Sequence, residues 1–69
     1  MSAKEFVRYL AIAKGSLGEL KTQMVISERI GYLSNEQAQS VFEKIDETGR
    51  MINGLIRSIS KAVNPYQPL

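Results

Sequence analysis

Apolar and small residues recur along the first half of the chain at alternating spacings of three and four residues. This spacing is typical of a helix that packs one face against a neighbouring helix. Ser2, followed three residues later by Glu5, is a capping box that indicates where this helix begins. The predicted packing face consists of Ala3, Phe6, Leu10, Ala13, Leu17, Leu20, Met24 and Ser27.

A second block with the same spacing follows a short break. Gly31 is suited to end the first helix, because glycine readily adopts the left-handed backbone conformation found just after many helices. Ser34 and Gln37 form a second capping box. Asn64-Pro65 ends the second helix, because proline disfavours helical backbone in the residue before it. The second packing face is predicted to consist of Ala38, Phe42, Ile45, Gly49, Ile52, Ile56, Ile59 and Val63.

The two blocks predict an all-α antiparallel helical hairpin, with helices at about 3–30 and 35–63. Residues 1–63 then form a single domain or half of one, and residues 64–69 a short extended tail. In a hairpin folded about residues 32–33, Leu17 faces Gly49, so that a large side chain meets the smallest residue. We therefore expect Gly49→Leu to overfill this layer and to cost about 1–3 kcal/mol of stability.

Both helices carry more apolar surface than one packing face uses. A core of this size rarely yields more than about 3–5 kcal/mol, and each glycine inside a helix costs about 1 kcal/mol relative to alanine. We therefore expect the hairpin to complete a four-helix bundle by self-association, as a homodimer or a higher oligomer. The alternative is a marginal monomer with ordinary exposed apolar residues. The candidate oligomer interface consists of Val7, Ala11, Gly18, Val25, Val41, Thr48, Leu55 and Ala62.

The composition narrows the possible chemistry. The 69 residues include no cysteine and no histidine, which removes zinc-binding thiolates and the commonest general base. The carboxylates lie largely on outward positions and lack the Glu-x-x-His motif of di-iron bundles. We therefore expect no metal, no cofactor and no enzymatic activity. The longest apolar run is far shorter than the roughly 20 residues that cross a bilayer, so we expect a cytoplasmic protein without membrane contact.

Basic residues form a stripe on each helix. Lys14 and Lys21 are seven residues apart on the first helix, and Arg50, Arg57 and Lys61 share a face of the second. Both stripes are predicted to point away from the packing faces, where they can neutralise nucleic-acid phosphates. The alternative is a solvated surface, because the net charge is only +2 and acidic residues lie beside both stripes.

Two further pairs of polar residues have predicted roles in packing. Asp46 and Arg50 have the i,i+4 spacing of a surface ion pair on one helix. Ser16 and Asn53 lie beside the packing faces, so we expect them to hydrogen-bond across the helices and to fix register or partner choice.

Four strings of the sequence together resemble one known family. They are Lys4–Leu10, Ile12–Leu20, Gly31–Ser34 and Gly49–Ser58. The combination is similar to the four-helix-bundle proteins encoded by intervening sequences of bacterial large-subunit ribosomal RNA genes. The accessory proteins of diversity-generating retroelements form a related branch. The resemblance covers nearly the whole chain but only the second half of such proteins, which usually carry two earlier helices.

The resemblance implies an oligomeric helical scaffold with a basic surface, an association with RNA or DNA, and no catalysis. Lys14, Arg50 and Arg57 lie inside the matching strings and are candidate nucleic-acid-binding residues, with Lys21 and Lys61 as their neighbours. A separate chain that supplies the two earlier helices is a candidate partner besides a second copy. The alternative function is a protein–protein interaction module that binds no nucleic acid.

Overall fold

A computed structural model describes residues 1–63, which form two helices, α1 (Ala3–Arg29) and α2 (Asn35–Val63). The helices pack against each other as an antiparallel hairpin with principal dimensions of 48 × 17 × 16 Å. The predicted all-α hairpin is confirmed, and the helix bounds lie within one residue of those predicted. The tail predicted at 64–69 lies outside the described residues.

Both helices begin at the caps that the sequence predicts. The Ser2 hydroxyl oxygen accepts a hydrogen bond from the Glu5 backbone N–H at 3.1 Å. At α2 the capping box is reciprocal: Ser34 Oγ accepts from the Gln37 N–H at 3.1 Å, and Gln37 Oε1 accepts from the Ser34 N–H at 3.0 Å. These bonds satisfy backbone donors that have no partner inside the helix.

The connection between the helices is a tight turn at Gly31. Its φ of +86° lies in the left-handed region that favours glycine. The Gly31 N–H donates to the Glu28 carbonyl at 3.1 Å, and the Tyr32 N–H donates to the Ser27 carbonyl at 2.9 Å. This pair of bonds is the Schellman motif, which satisfies carbonyls at the end of α1 and turns the chain back toward α2.

Helix α2 uses the packing face predicted for it. Ala38 and Ile45 are the only buried residues among 1–63, with exposed fractions of 0% and 7%. Of the eight residues predicted for the α2 packing face, only Val63, at the end of the helix, is exposed. The half-buried members of the predicted face are Phe42, Gly49, Ile52, Ile56 and Ile59.

Helix α1 uses a face that is rotated by one residue from the predicted one. Leu10, Leu17 and Met24 are half-buried as expected, and so are Ala3 and Ser27. However, the row Phe6, Ala13 and Leu20 is exposed. In the row Val7, Lys14, Lys21 and Glu28, the two outer residues are half-buried, and the two lysines are exposed and line a groove beside α2.

The rotation has a physical reason in the spacing itself. The row Leu10, Leu17 and Met24 gives three-and-four spacing with either of two neighbouring rows. One is the row that begins at Phe6, and the other is the row that begins at Val7. The rotation also places the α1 row that contains Phe6 and Leu20 on one side of the hairpin. The α2 row that contains Thr48 and Leu55 lies on the same side. Two helices alone leave that side uncovered.

The layer between Leu17 and Gly49 forms, since both residues line one groove, but it is not filled. A Cβ atom built on Gly49 meets no heavy atom within 4 Å. The layer therefore has room for at least a methyl group at Gly49, and the loss of stability expected for Gly49→Leu stays a prediction.

Candidate nucleic-acid interface

A shallow groove with a volume of about 300 Å³ runs between the two helices on one side of the hairpin. Because three of its side chains are cationic, we call it the basic groove. It is lined by Lys14, Leu17, Gly18, Lys21, Ile45, Asp46, Gly49, Arg50 and Asn53.

Both helices contribute cations to the basic groove. Lys14 and Lys21 belong to the α1 row that begins at Val7, about 10 Å apart along the helix axis. Arg50 projects from α2, one turn after Asp46. The prediction that both basic stripes point away from the packing faces is therefore wrong for α1. Both lysines are exposed and line the groove between the helices, where their aliphatic stems can pack while the ammonium groups reach water.

An ion pair spans the groove. Lys21 Nζ lies 3.1 Å from Asp46 Oδ1, and both side chains are about half exposed. The sequence predicted an ion pair between Asp46 and Arg50 on one helix. Asp46 instead pairs with Lys21 across the helices. An exposed pair of this kind contributes about 0.2–1 kcal/mol at most, so it positions Lys21 more than it stabilises the fold.

The remaining charge in the groove is positive. Three cationic side chains face one carboxylate, so the lining has an excess of two positive charges, as large as that of the whole chain. Within residues 1–63, neither Lys14 nor Arg50 has a carboxylate partner within 4 Å. The Asn53 side-chain amide adds neutral hydrogen-bond donors. This arrangement is chemically suited to bind an anion.

The other predicted cations do not line the groove. Arg57 follows Arg50 by seven residues, so it extends the same side of α2 toward the end of the helix. Lys61 lies on another side of α2. Conversely, the sequence interpretation did not place Asp46 and Asn53 with the lysines. Asp46 and Asn53 are seven residues apart, and each directly follows a residue of the α2 packing face. This spacing was the signal that could have placed both residues along one side of the hairpin.

The hydroxyl predicted to bridge the helices bonds within its own helix. Ser16 Oγ donates to the Ile12 carbonyl at 3.2 Å, so the predicted bond from Ser16 across the helices is wrong. Thr48 Oγ1 likewise donates to the Lys44 carbonyl at 2.8 Å. Both hydroxyls are thus satisfied without a partner from the other helix.

Residues 1–54 match the profile of the 23S rRNA-intervening sequence protein family. The chain belongs to this family. The match covers α1, the turn and α2 as far as Gly54, which includes every residue that lines the basic groove. It ends before Arg57 and Lys61, so it is shorter than the resemblance noted from the sequence. This intervening-sequence family is not a known enzyme family. No curated protein and no solved structure matches the chain.

The structure also bears on metal and membrane binding by this intervening-sequence protein. Nowhere in residues 1–63 do three or more histidine, cysteine, aspartate or glutamate side chains come together as a possible metal site. Neither α1 nor α2 has the length and apolar composition needed to cross a membrane.

The oligomer interface predicted from the sequence does not lie on one side of the hairpin. Gly18 directly follows Leu17 of the packing face and lines the basic groove, and its row includes Ala11 and Val25. The α2 residues of the predicted interface directly precede packing-face residues, which places them on the opposite side. Those α2 residues are Val41, Thr48, Leu55 and Ala62. Val7 faces α2 and is half-buried.

Proposed function

We propose that this protein is a non-catalytic member of the intervening-sequence family that self-associates through its apolar surface and binds RNA through the basic groove. The observation that carries the RNA-binding role is the convergence of Lys14, Lys21 and Arg50 on one groove. Cations that neutralise phosphates release condensed counterions, and this release supplies much of the affinity for nucleic acid.

The groove suits a nucleic-acid backbone better than a buried small molecule. It is shallow, and its volume lies at the lower limit of ligand pockets. None of its lining residues is aromatic, so it offers no ring on which a base could stack. Contacts to phosphate carry no sequence information. We therefore expect binding that depends on charge and tolerates many sequences.

RNA is the first ligand to test because the family name refers to 23S ribosomal RNA. The assay is fluorescence anisotropy with a labelled oligouridine, repeated with an RNA duplex and a DNA strand of the same length. Affinity is measured over a series of salt concentrations. Each phosphate neutralised on a single strand contributes about 0.7 to the slope of log K against log salt, so three groove cations predict a slope of about 2.

A matched pair of double variants locates the binding site. Lys14→Gln with Arg50→Gln removes the two groove cations that have no ion-pair partner in residues 1–63, and should lower the slope by about 1.4. Lys4→Gln with Lys61→Gln removes the same charge at exposed positions that do not line the groove and should leave the slope unchanged. Equal losses in both would show that net charge, not the groove, is responsible. No binding at low salt would overturn the RNA-binding role.

A protein–protein interaction module without RNA binding is the second candidate. It is favoured by the eleven large apolar side chains in residues 1–63 that are more than 40% exposed, against only two buried residues. The apolar surface supports self-association under either function. The two candidates therefore differ only in the outcome of the RNA titration.

A further inference from the structure

The side of the hairpin opposite the basic groove is nearly free of charge. We call it the charge-poor face. Only Lys44 is charged among its sixteen positions. Sixteen positions flank the packing faces on the groove side, at 4, 8, 11, 15, 18, 22, 25 and 29 of α1 and at 36, 39, 43, 46, 50, 53, 57 and 60 of α2. Eight of these are charged: Lys4, Arg8, Arg29, Glu36, Glu43, Asp46, Arg50 and Arg57. The α1 positions of the charge-poor face are Phe6, Tyr9, Ala13, Ser16, Leu20, Gln23, Ser27 and Ile30. Its α2 positions are Gln37, Val41, Lys44, Thr48, Met51, Leu55, Ser58 and Ala62.

Large apolar side chains of both helices are exposed on this face. Phe6 and Leu20 of α1 are 42% and 41% exposed, and Leu55 and Met51 of α2 are 48% and 64% exposed. In the isolated hairpin these side chains contribute little to the core.

We infer that a second copy of this chain packs on the charge-poor face, so that two hairpins form a four-helix bundle with their basic grooves on opposite outer sides. This inference rests on the proposed self-association and specifies its surface. It replaces the interface predicted from the sequence, whose α1 residue Gly18 lies in the groove.

The size of the face fits a second copy. The outline of the hairpin, 48 Å long and 17 Å wide, encloses about 800 Å², so the face is large enough for the roughly 800 Å² of accessible surface that each partner buries in a standard stable interface. The hairpin is long and narrow, so an equally long partner can cover the whole face. A second copy has this length.

Charge determines which side the second copy can occupy. Two copies packed through their basic grooves would bring Lys14, Lys21 and Arg50 against the same cations of the partner. Juxtaposed like charges at an interface disfavour association. Two charge-poor faces carry one lysine each, so they can approach without such repulsion. This packing also leaves both grooves accessible to RNA.

Light scattering over a wide range of chain concentration first measures the mass. We expect a species of twice the chain mass. The double variant Leu20→Lys with Leu55→Lys should raise the dissociation constant of this dimer by at least about tenfold, because each copy then buries two charges without partners. Thr22→Lys with Gln39→Lys, on exposed positions of the groove side, is the matched control and should leave the mass unchanged.

Spin labels test the packing side independently of the lysine variants. The chain contains no cysteine, so Ser58→Cys and Ser60→Cys each give one labelling site. Ser58 lies on the charge-poor face and Ser60 on the groove side, at nearly the same height on α2. Electron–electron distance measurements between copies should give a shorter distance for Ser58 than for Ser60.

The outcomes separate two failures. A dimer with the shorter distance at Ser60 would overturn the assigned face but leave self-association intact. A folded monomer at all concentrations would overturn self-association and, with it, the second copy on the charge-poor face.

Discussion

Gly49→Ala should stabilise the protein. Gly49 lies in the middle of α2, on the packing face and in the basic groove. An added Cβ meets no heavy atom within 4 Å, and among residues 1–63 only Gly31 has a positive φ. Alanine therefore fits this position without displacing any neighbouring atom and without straining the backbone.

The expected gain follows from helix propensity. Glycine inside a helix is about 0.8–1.0 kcal/mol less favourable than alanine, because it loses more backbone freedom on folding. The new methyl group enters open space, so packing adds little. For a domain of this size, about 1 kcal/mol corresponds to a rise in Tm of about 4–8 °C.

Thermal unfolding followed by far-ultraviolet circular dichroism measures this effect. All variants are compared at the same chain concentration, because association makes Tm concentration-dependent. Gly54→Ala is the matched control, since Gly54 lies in the same helix, has equally open surroundings and lies outside the groove. Both substitutions should raise Tm by a similar amount.

A lower Tm for Gly49→Ala together with a higher Tm for Gly54→Ala would refute the reasoning. It would mean that another chain fills the space beside Gly49 in solution. The assignment of the second copy to the charge-poor face would then be wrong as well, because the groove side would be the contact.

Two further predictions concern local interactions. Ser34→Ala removes the reciprocal cap of α2 and should lower the free energy of unfolding by about 1 kcal/mol, measured by urea unfolding. Ser40→Ala, on the exposed side of α2, is the control and should not lower it. Equal losses in the two variants would argue against the cap. Glu28→Met should raise stability by about 1 kcal/mol in the same assay, because Glu28 Oε2 is buried without a hydrogen-bond partner in residues 1–63. A loss of stability in Glu28→Met would indicate that this oxygen has a partner in solution.

The turn and the caps could be predicted from the sequence because they depend on near neighbours. Ser34 and Gln37 are three residues apart, and the left-handed conformation of Gly31 needs only the local chain. Such interactions do not change with the way in which the helices pack. The bounds of both helices were therefore predicted to within one residue.

The packing faces differ in how well hydrophobicity selects them. In α2, the row of Phe42 and Ile56 is more apolar than the competing row of Thr48 and Leu55, and the more apolar row faces α1. In α1 the choice is reversed, since the row of Leu20 is more apolar than the row of Lys21, yet Lys21 faces α2. A periodicity argument selects the more apolar row, and in α1 that row is the exposed one.

The candidate site depends on the same rotation. Lys14, Lys21 and Arg50 were each identified from the sequence, but as two separate outward stripes. Only the rotated α1 brings the two lysines to the side that carries Arg50. The residues of the groove could therefore be predicted, whereas their convergence could not.

The uneven distribution of the core along the hairpin has a consequence for how the molecule opens. Ala38 and Ile45, the two buried residues, lie in the half of α2 that adjoins the turn, and the turn itself is held by the Schellman bonds and the reciprocal cap. At the other end, Met1 and Val63 are exposed. Closing contacts near a turn costs the least loop entropy, so the hairpin should zip from the turn and fray from its free end. Within residues 1–63, amide hydrogen exchange should then be fastest at the start of α1 and the end of α2, and slowest beside Ala38.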